Sequence, residues 1–539
     1  MSITRRQLLV TTAAGTAFAA LSGVGFQAAA QSKNDTITCA FAARSSNGMS
    51  PQLISSTGAD NWVISQLYDT LVKRPDGKWA VKPEEFEPAL AESWTSSEDA
   101  KTWTYKLRSG VKFHKDYGEM TADDVVFTFS RHLDPKISTK AKSYYRNILS
   151  VEATDPNTVV IKLKDPDPLL NGTCVSDLSA SILSKKAFAE KGDEKFNTDP
   201  VGTGPYEFTS LDSNAGLLLT AFKDYYDGQA ATPNLRVRFI ADTTARTLAF
   251  ASGDVDMIEG VRAPGWNDSM RQQNANTIFD ATAPGSFNTL HINLNRGPLA
   301  NIKVRQAIRY AIDATAIAAA FGNIAVPMVG IIAPQFPGSV KQDELPAELQ
   351  YKYDPEKAIA LLKEAGFASG LTIPCFVSQR EDYASIMLMI QEQLRTVNIN
   401  LDLKIIDHAT FHADNRKDKN SLILSSLSYP PVPTAPIGDL LLKTGDVKAD
   451  GSGLTNYSHY GVAIPGIDDL MSKANAEPDF AKRVEIVKEM EKQILTDLPG
   501  LGIITLSYVI ARNPRVDLGF KVEAGTPYWP LRHAKVVQA

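Results

Sequence analysis

Two histidines four residues apart are the first candidates for chemistry in this chain. His408 and His412, in the run His-Ala-Thr-Phe-His, have the spacing that places two imidazoles on one face of a helix. A zincin would carry glutamate directly after the first histidine, where Ala409 stands. The remaining histidines are scattered singly along the chain: His114, His132, His291, His459 and His533. We therefore expect neither a bound metal nor a cofactor.

Other familiar catalytic patterns are incomplete. Asp254 and Asp256 would share one face of an alternating strand, but only Glu259 is close enough in sequence to join them, so we interpret this stretch as a solvated turn. The glycine-rich run at residues 200–206 is not followed by Gly-Lys-Ser/Thr and is interpreted as a rigid turn. The sequence has no Gly-x-Ser-x-Gly elbow, dinucleotide fingerprint or Walker loop. We predict no catalytic residue and no enzyme activity.

Strand and helix periodicities alternate along the chain, which predicts an α/β fold. Residues 102–108 alternate as a half-buried strand, and Thr121 followed by two aspartates predicts a helix N-terminus. Four prolines make residues 425–436 a stiff loop that is neither a helix nor a central strand. Further strands are predicted at 36–42, 158–163, 217–222, 235–240, 289–294, 399–405 and 501–510, and helices at 60–71, 244–252, 303–321, 354–365, 383–397 and 478–495.

Residues 1–30 have the features of a secretory signal peptide. Arg5 and Arg6 precede an apolar run, and three alanines at 28–30 offer a cleavage site, which predicts a twin-arginine type signal; a membrane anchor is the alternative. Its removal changes the formal charge of −5 to about −7, which does not favour nucleic acid or anionic lipid. The roughly 510 remaining residues suggest two or three domains. We expect a periplasmic protein without stable membrane insertion.

Three cysteines are spread far apart in the sequence. Cys39, Cys174 and Cys375 form no Cys-x-x-Cys pair, and Cys39 lies too far beyond the cleavage site to be a lipidated first residue. One disulfide is possible in an oxidising compartment. Separate buried thiols are the favoured interpretation.

A series of short segments resembles one family, the extracellular solute-binding proteins of the oligopeptide, dipeptide, nickel and opine class (family 5), which deliver ligands to ABC importers. The segments occur in the expected order over nearly all of the mature chain. They are LAESW (90–94), YKLRSGVKFH (105–114), TADDVVFTFSR (121–131), PVGTGPY (200–206), SGDVD (252–256), KVRQAIRYAID (303–313) and YDPEKAIALLKEAGF (353–367).

This resemblance implies two α/β lobes joined by crossing strands, with an extra subdomain inserted into the first lobe. Lobe one would comprise residues 31–70, 195–285 and 500–539, the inserted subdomain 71–194, and lobe two 286–499. A ligand would lie in the cleft between the lobes, and closure of the lobes would bury it. The expected partners are a small-molecule or peptide ligand and an inner-membrane ABC permease, with the protein itself a monomer.

The resemblance also implies which regions contact the ligand. Lobe one would contribute Arg44, Ser46 and Asn47 from one loop. The hinge strand would contribute Ser286 and Phe287, and lobe two would contribute Ser428 and Tyr429. None of these residues is expected to be catalytic. Peptide-binding relatives place an aspartate in the lobe-two region to pair with the free amine of the peptide. Residues 419–438 contain no acidic residue, which puts ordinary peptide recognition in doubt.

We therefore predict the substrate-binding component of an ABC import system, which captures a peptide or a peptide-sized polar solute such as an opine or oligosaccharide. A periplasmic hydrolase or metal-binding protein is the alternative, prompted by export and by His408 and His412. A chemoreceptor partner that binds solute without transport would use the same cleft. Neither alternative has a motif of its own in the sequence.

Overall fold

The strands and helices follow the apolar periodicities of the sequence. The computed structural model describes residues 34–453, 455–525 and 528–537, so the predicted signal peptide lies outside the described residues. The strands are β1 Thr36–Phe41, β2 Val72–Lys73, β3 Glu87–Pro88, β4 Ala91–Ser96, β5 Thr102–Leu107, β6 Ile148–Asp155, β7 Thr158–Leu163, β8 Tyr206–Asp212, β9 Gly216–Ala221, β10 Asn234–Phe239, β11 Met257–Glu259, β12 Ile278–Ile292, β13 Ala325–Pro327, β14 Leu371–Ser378, β15 Ile399–Ile406, β16 Leu422–Leu427, β17 Gly500–Arg512, β18 Val516–Asp517 and β19 Lys535–Val536.

The helices are interspersed with these strands, as an α/β chain requires. They are α1 Gly58–Leu67, α2 Ala122–Leu133, α3 Lys185–Thr198, α4 Thr243–Ala251, α5 Trp266–Gln273, α6 Ile302–Ala311, α7 Ala314–Ala320, α8 Pro355–Glu364, α9 Glu381–Arg395, α10 His408–Arg416, α11 Ala435–Leu440, α12 Ile467–Ala476 and α13 Phe480–Asp497. Across the described ranges, every helix is too short or too polar to cross a membrane.

One large sheet connects two hydrophobic cores. Its strand order is β16-β12-β17-β11-β1-β10-β9-β8, and β13 pairs with β17. The start of β12, residues 278–282, pairs with the end of β17, which also pairs with β11. The remainder of β12, residues 286–292, pairs with the start of β17 and with β16. The two long strands therefore run from one core into the other, and we call the two regions the first and second lobes.

The first lobe contains β1 and α1 together with a four-stranded antiparallel sheet. Trp62 of α1 and Trp103 of β5 belong to the same buried cluster, so the sheet β4-β5-β7-β6 packs continuously against β1. The second lobe is built around α6, α8 and α9 and the parallel pair β14 and β15. The residue boundaries given above for the two lobes and the inserted subdomain remain predictions.

Several predictions from the sequence need correction. The predicted helix at 303–321 is two helices, because the backbone leaves the helical region at Ile312 and the Asp313 carboxylate accepts the backbone N–H of Ala316 in the first turn of α7. The stiff loop predicted at 425–436 is shorter, because β16 includes residues 425–427 and α11 begins at Ala435. Pro436 is tolerated there because the first helical turn needs no N–H donor.

The solvated turn predicted at Asp254 and Asp256 is wrong for the second aspartate. Asp256 is buried, pairs with the Arg515 guanidinium at 2.5 Å, and accepts the backbone N–H of Thr38. Burying this carboxylate is possible because both of its oxygens receive charged or backbone donors. The three cysteines are buried free thiols, which confirms that prediction.

Candidate functional site

The junction between the lobes lies where β12 loses its regular pairing with β17. Thr282 pairs with Tyr508 and Ser286 with Leu506, so residues 283–285 bulge opposite a single residue of β17. Gly285 has a φ of 68°, and a Cβ there would lie 2.1 Å from the Leu506 carbonyl oxygen. Only glycine fits this bend. The bend places Ser286 and Tyr508 between the two cores.

Arg262 reaches this junction from the first lobe. It follows β11, whose residues Met257 and Ile258 belong to the first-lobe cores. One guanidinium nitrogen donates to Ser286 Oγ at 2.7 Å, and the guanidinium carbon lies 4.6 Å from the centre of the Tyr508 ring. These contacts fix a cation against β12 and β17, the two strands that connect the cores.

The second lobe supplies the carboxylate that faces this cation. Asp382 lies in the first turn of α9, and its carboxylate is 2.5 Å from the Arg262 guanidinium. Arg380 binds the same carboxylate through two nitrogens, at 3.0 and 3.2 Å. The Asp382 side chain is 7% exposed and that of Arg262 is 11% exposed. Burial raises the pKa of Asp382, but the charges of Arg262 and Arg380 outweigh burial and hold it below its usual value.

The end of β16 adds further hydroxyl groups to the junction. Ser426 Oγ donates to Ser286 Oγ at 2.9 Å, and the Tyr383 hydroxyl donates to the Ser426 carbonyl oxygen at 3.3 Å. Ser428 is exposed, and its hydroxyl forms a 2.6 Å hydrogen bond with the Tyr508 hydroxyl. Polar side chains from both lobes therefore meet in one network of hydrogen bonds, ion pairs and a cation–π contact.

Two of the predicted contact residues lie beneath this network. Phe287 and Tyr429 are buried, and their rings pack at 5.1 Å within a second-lobe cluster that also includes Phe336. The Tyr429 hydroxyl is shielded from solvent and has no hydrogen-bond partner in the described part of the chain. Ser286 and Ser428, by contrast, carry polar atoms of the network itself.

The predicted lobe-one loop forms a separate cluster. Ser46 donates to Asp60 Oδ1 at 2.6 Å, and the Asn47 side chain donates to the Ser55 carbonyl oxygen, so both side chains hold the loop to the start of α1. Arg44 is exposed. Phe41 ends the strand before this loop, and it lines a cavity of about 40 Å³ together with Arg262, Tyr508 and Tyr528. Contact of Arg44, Ser46 and Asn47 with a ligand stays a prediction.

The network includes residues that sequence reasoning missed, among them Arg262, Arg380, Asp382, Tyr383 and Tyr508. A signal was available for Arg262, which lies shortly beyond β11, and for Arg380 and Asp382, which follow β14. Loops at the carboxyl ends of strands commonly carry binding residues in α/β folds. Tyr508 stands inside an apolar strand and gave no such signal.

His408 and His412 do lie on one face of a helix, α10, with ring centres 4.5 Å apart. His408 Nδ1 forms a 2.8 Å hydrogen bond with Ser378 Oγ. Burial, followed by the charge of His408, lowers the pKa of His412 to about 4. Within residues 34–453, 455–525 and 528–537, no group of three potential metal-ligating side chains is arranged to hold an ion.

Comparisons with known proteins place these features in a family. Residues 85–448 match the family model described as bacterial extracellular solute-binding proteins, family 5 Middle. The chain is 28% identical over 489 residues to the dipeptide-binding protein of Escherichia coli K12, covering 85% of this chain and 87% of that protein. It is 31% identical over 446 residues to the glutathione-binding protein GsiB of Shigella flexneri, covering 80% and 85% respectively.

A solved structure has a similar fold. The solute-binding protein MoaA from A. tumefaciens R10, in complex with mannopinic acid, is 29% identical, with a TM-score of 0.80 over 94% of this chain and all of that one. The likeness confirms the two-lobe periplasmic binding protein fold. These relatives are binding proteins, which confirms the prediction that the chain is not an enzyme. The chain belongs to the bacterial extracellular solute-binding proteins of family 5.

Proposed function

We propose that this protein is the periplasmic substrate-binding component of an ABC import system. It captures a peptide-sized polar solute that carries a carboxylate, such as an opine or a short peptide, between the two lobes, and delivers it to a membrane permease. The observation that carries the proposal is the network at the hinge, in which Arg262 of the first lobe and Asp382 of the second lobe meet. A ligand that contacts both lobes favours their closed arrangement.

Arg380 is the residue best suited to hold a ligand carboxylate. Its side chain is 51% exposed, whereas Asp382 beside it is buried. Nε and one terminal nitrogen of Arg380 contact Asp382, and the other terminal nitrogen forms no hydrogen bond within the described part of the chain. A guanidinium offers five N–H donors in a planar fork, which leaves donors for a second carboxylate.

Recognition of a free amine has less support in the same site. An ammonium group needs an accessible carboxylate, and Asp382 is already engaged by two guanidinium groups. Glu259, another acid beside the cleft, accepts the backbone N–H of Ala42 through one oxygen and lines the small cavity with Arg262, whose positive charge would repel an ammonium group. We therefore expect binding to depend little on a free amino terminus.

Calorimetry on purified protein tests the proposal. The compounds are opines and short peptides, each paired with its carboxamide. The variants are Arg380→Gln, directly before α9, and, as a control at the far end of α9, the exposed Arg395→Gln. A charge-assisted hydrogen bond is worth about 1.5–3 kcal/mol, so Arg380→Gln should weaken carboxylate binding roughly 10- to 100-fold. Arg395→Gln should bind like the wild type.

Two results would contradict the proposal. The first is an absence of saturable binding by every carboxylate compound to protein freed of copurified ligand by unfolding and refolding. The second is an equal loss of affinity for the carboxylate compounds in Arg380→Gln and Arg395→Gln. Loss of binding when a peptide is amino-acetylated would refute the prediction about the free amine. Stimulation of ATP hydrolysis by the reconstituted permease tests delivery separately.

A further inference from the structure

The two lobes meet at a second place besides the hinge network. The chain after β7 belongs to the first lobe, since Leu170 lies in its buried cluster. Asp167 in this segment faces Arg483, near the start of α13, a helix of the second lobe. We call the contact that residues 79–86 and 164–175 make with the second lobe the lateral contact.

Arg483 is the second-lobe cation of the lateral contact. Its side chain is 3% exposed; one terminal nitrogen lies 3.7 Å from Asp167 Oδ1, and the other donates to the Pro166 carbonyl oxygen at 3.2 Å. Within its own lobe the guanidinium donates to the carbonyl oxygens of Glu477 and Asn475, at 3.0 and 3.1 Å. The second lobe therefore fixes this cation in place and presents it to the first lobe.

Asp167 is fixed just as firmly within the first lobe. Its Oδ1 accepts the backbone N–H of Leu169 at 2.9 Å, and its carbonyl oxygen accepts the Trp103 Nε1–H of β5 at 3.2 Å. Its own backbone N–H donates to the Ala100 carbonyl oxygen at 3.0 Å. Because each partner is held by its own lobe, the pair exists only while the lobes keep this arrangement.

Aromatic side chains continue the lateral contact to the hinge. The rings of Trp79 and Phe336, a residue of the second-lobe cluster, pack with their centres 5.7 Å apart. Trp79 Nε1 also donates to the Ala283 carbonyl oxygen, in the bulge of β12, at 2.8 Å. Lys82 Nζ lies 5.9 Å from the centre of the Phe480 ring, at the start of α13. The lateral contact is therefore an extended surface and not one isolated ion pair.

The lateral contact is not packed like the interior of one lobe. A cavity of about 550 Å³ lies in it, lined by Tyr144 and Arg146 of the first lobe and Asp439 of the second; Asp167 and Arg483 also line it. Protein interiors contain few voids larger than a water molecule. Polar, incompletely packed surfaces are typical of domains that move relative to each other. The lateral contact thus has the character of surfaces that separate.

The Asp167–Arg483 pair is weaker than the pair at the hinge. Its closest charged atoms are 3.7 Å apart, against 2.5 Å for Arg262 and Asp382. Burial raises the pKa of Asp167, and the charge of Arg483 offsets only part of that effect, whereas the pKa of Asp382 lies below its usual value. The Asp167–Arg483 pair therefore compensates less of its own burial and separates more readily.

We propose that the lateral contact is a latch, in which the Asp167–Arg483 pair holds the lobes closed and breaks each time they open. The equilibrium between open and closed lobes is then set in two places, the hinge network and the latch. Ligand contacts in the cleft add to an equilibrium that the latch already biases. This inference rests on the proposed function only for the separation of the lobes, and not for the identity of the solute.

The distance between two spin labels in ligand-free protein tests the latch. Glu152→Cys in β6 and Lys473→Cys in α12 are exposed sites for nitroxide labels, and the three native thiols are buried. Double electron–electron resonance then gives the ratio of open to closed molecules. Asp167→Asn leaves Arg483 buried without a charged partner when the lobes close, so this ratio should rise roughly tenfold, within the range of coupling between contacting residues.

Two further variants separate a latch from a merely structural role of Asp167. Combining Asp167→Asn with Arg483→Gln leaves no buried charge, so the double variant should return towards the wild-type ratio. A weakened hydrogen bond to Leu169 would not be restored in this way. Asp193→Asn removes a carboxylate that pairs with Arg131 inside the first lobe, and it should leave the ratio unchanged.

The outcomes decide for or against the latch. A larger open fraction in Asp167→Asn that Arg483→Gln restores supports it. An unchanged ratio in Asp167→Asn, an equal change in Asp193→Asn, or a double variant at least as open as Asp167→Asn would overturn it. Every ratio is measured without solute, so failure of all solutes to bind, which would contradict the proposed function, leaves this result intact.

Discussion

The interlobe ion pair between Arg262 and Asp382 is the contact whose loss should change the arrangement of the lobes most. The two groups are 2.5 Å apart, and both side chains are nearly buried. With an effective dielectric constant of about 20, unit charges centred about 4 Å apart attract each other by roughly 4 kcal/mol. Removing one partner of a buried pair costs about 3–5 kcal/mol, because the remaining charge stays buried without compensation.

Asp382→Asn removes this charge while keeping the shape of the side chain. It leaves Arg262 and Arg380 as two like charges that previously shared one carboxylate. We expect the lobes to separate, which small-angle X-ray scattering detects as an increased radius of gyration, and the melting temperature to fall. Asp402→Asn, at an exposed position of the same lobe, is the control and should change neither quantity.

The pair also predicts a pH dependence. Because the pKa of Asp382 lies below its usual value of 3.8 when folded, the pair contributes stability above about pH 4. That contribution is lost as the pH falls through the pKa that Asp382 has in the folded protein. The radius of gyration of the wild type should therefore approach that of Asp382→Asn only in strong acid. An equal radius and melting temperature of the two proteins at about pH 7 would refute this reasoning.

Three further predictions concern buried ionisable groups outside the cleft. Burial raises the pKa of Glu491 to about 8 in the folded protein, against 4.5 as its ordinary value, so wild-type stability should fall as the pH rises between these values. Glu491→Gln should remove that fall in melting temperature, and an identical pH profile would contradict the assignment. Asp256→Asn should lower the free energy of unfolding in urea by about 3–5 kcal/mol, because Arg515 loses its buried partner; an unchanged value would count against it. The three buried thiols, whose pKa values burial raises, should react with Ellman's reagent only after unfolding, and rapid reaction of the native protein would disprove their burial.

Elements whose faces are set by local burial were predictable from the sequence. Trp103, Tyr105 and Leu107 alternate with polar residues, and they are the buried face of β5. The break between α6 and α7 was not predictable from periodicity, because apolar residues continue at helical spacing across it. Asp313 produces the break by capping α7, and its side chain could equally have pointed to solvent from one long helix.

The site was predictable only for residues that the family resemblance pointed to. Ser286 and Ser428 were expected near the cleft from the resemblance, and the fold brings both into the hinge network. Arg262 and Asp382 are 120 residues apart in sequence, and their contact depends on how β11 and α9 are placed by the crossing strands. Burial of Asp256 likewise depends on Arg515, 259 residues further along the chain. No local pattern encodes such distant pairs.

The distribution of charge in the cleft narrows the class of solute. Residues 419–438 carry no acidic side chain, and the Asp382 carboxylate at the junction is held by two guanidinium groups. A ligand ammonium that approached Asp382 would meet the positive charge of both arginines and would have to displace one of them. A ligand carboxylate that approached the exposed side of Arg380 would instead lower the excess positive charge beside Asp382. Affinity should therefore differ greatly between an acid and its amide, and little between a free and an acetylated amine.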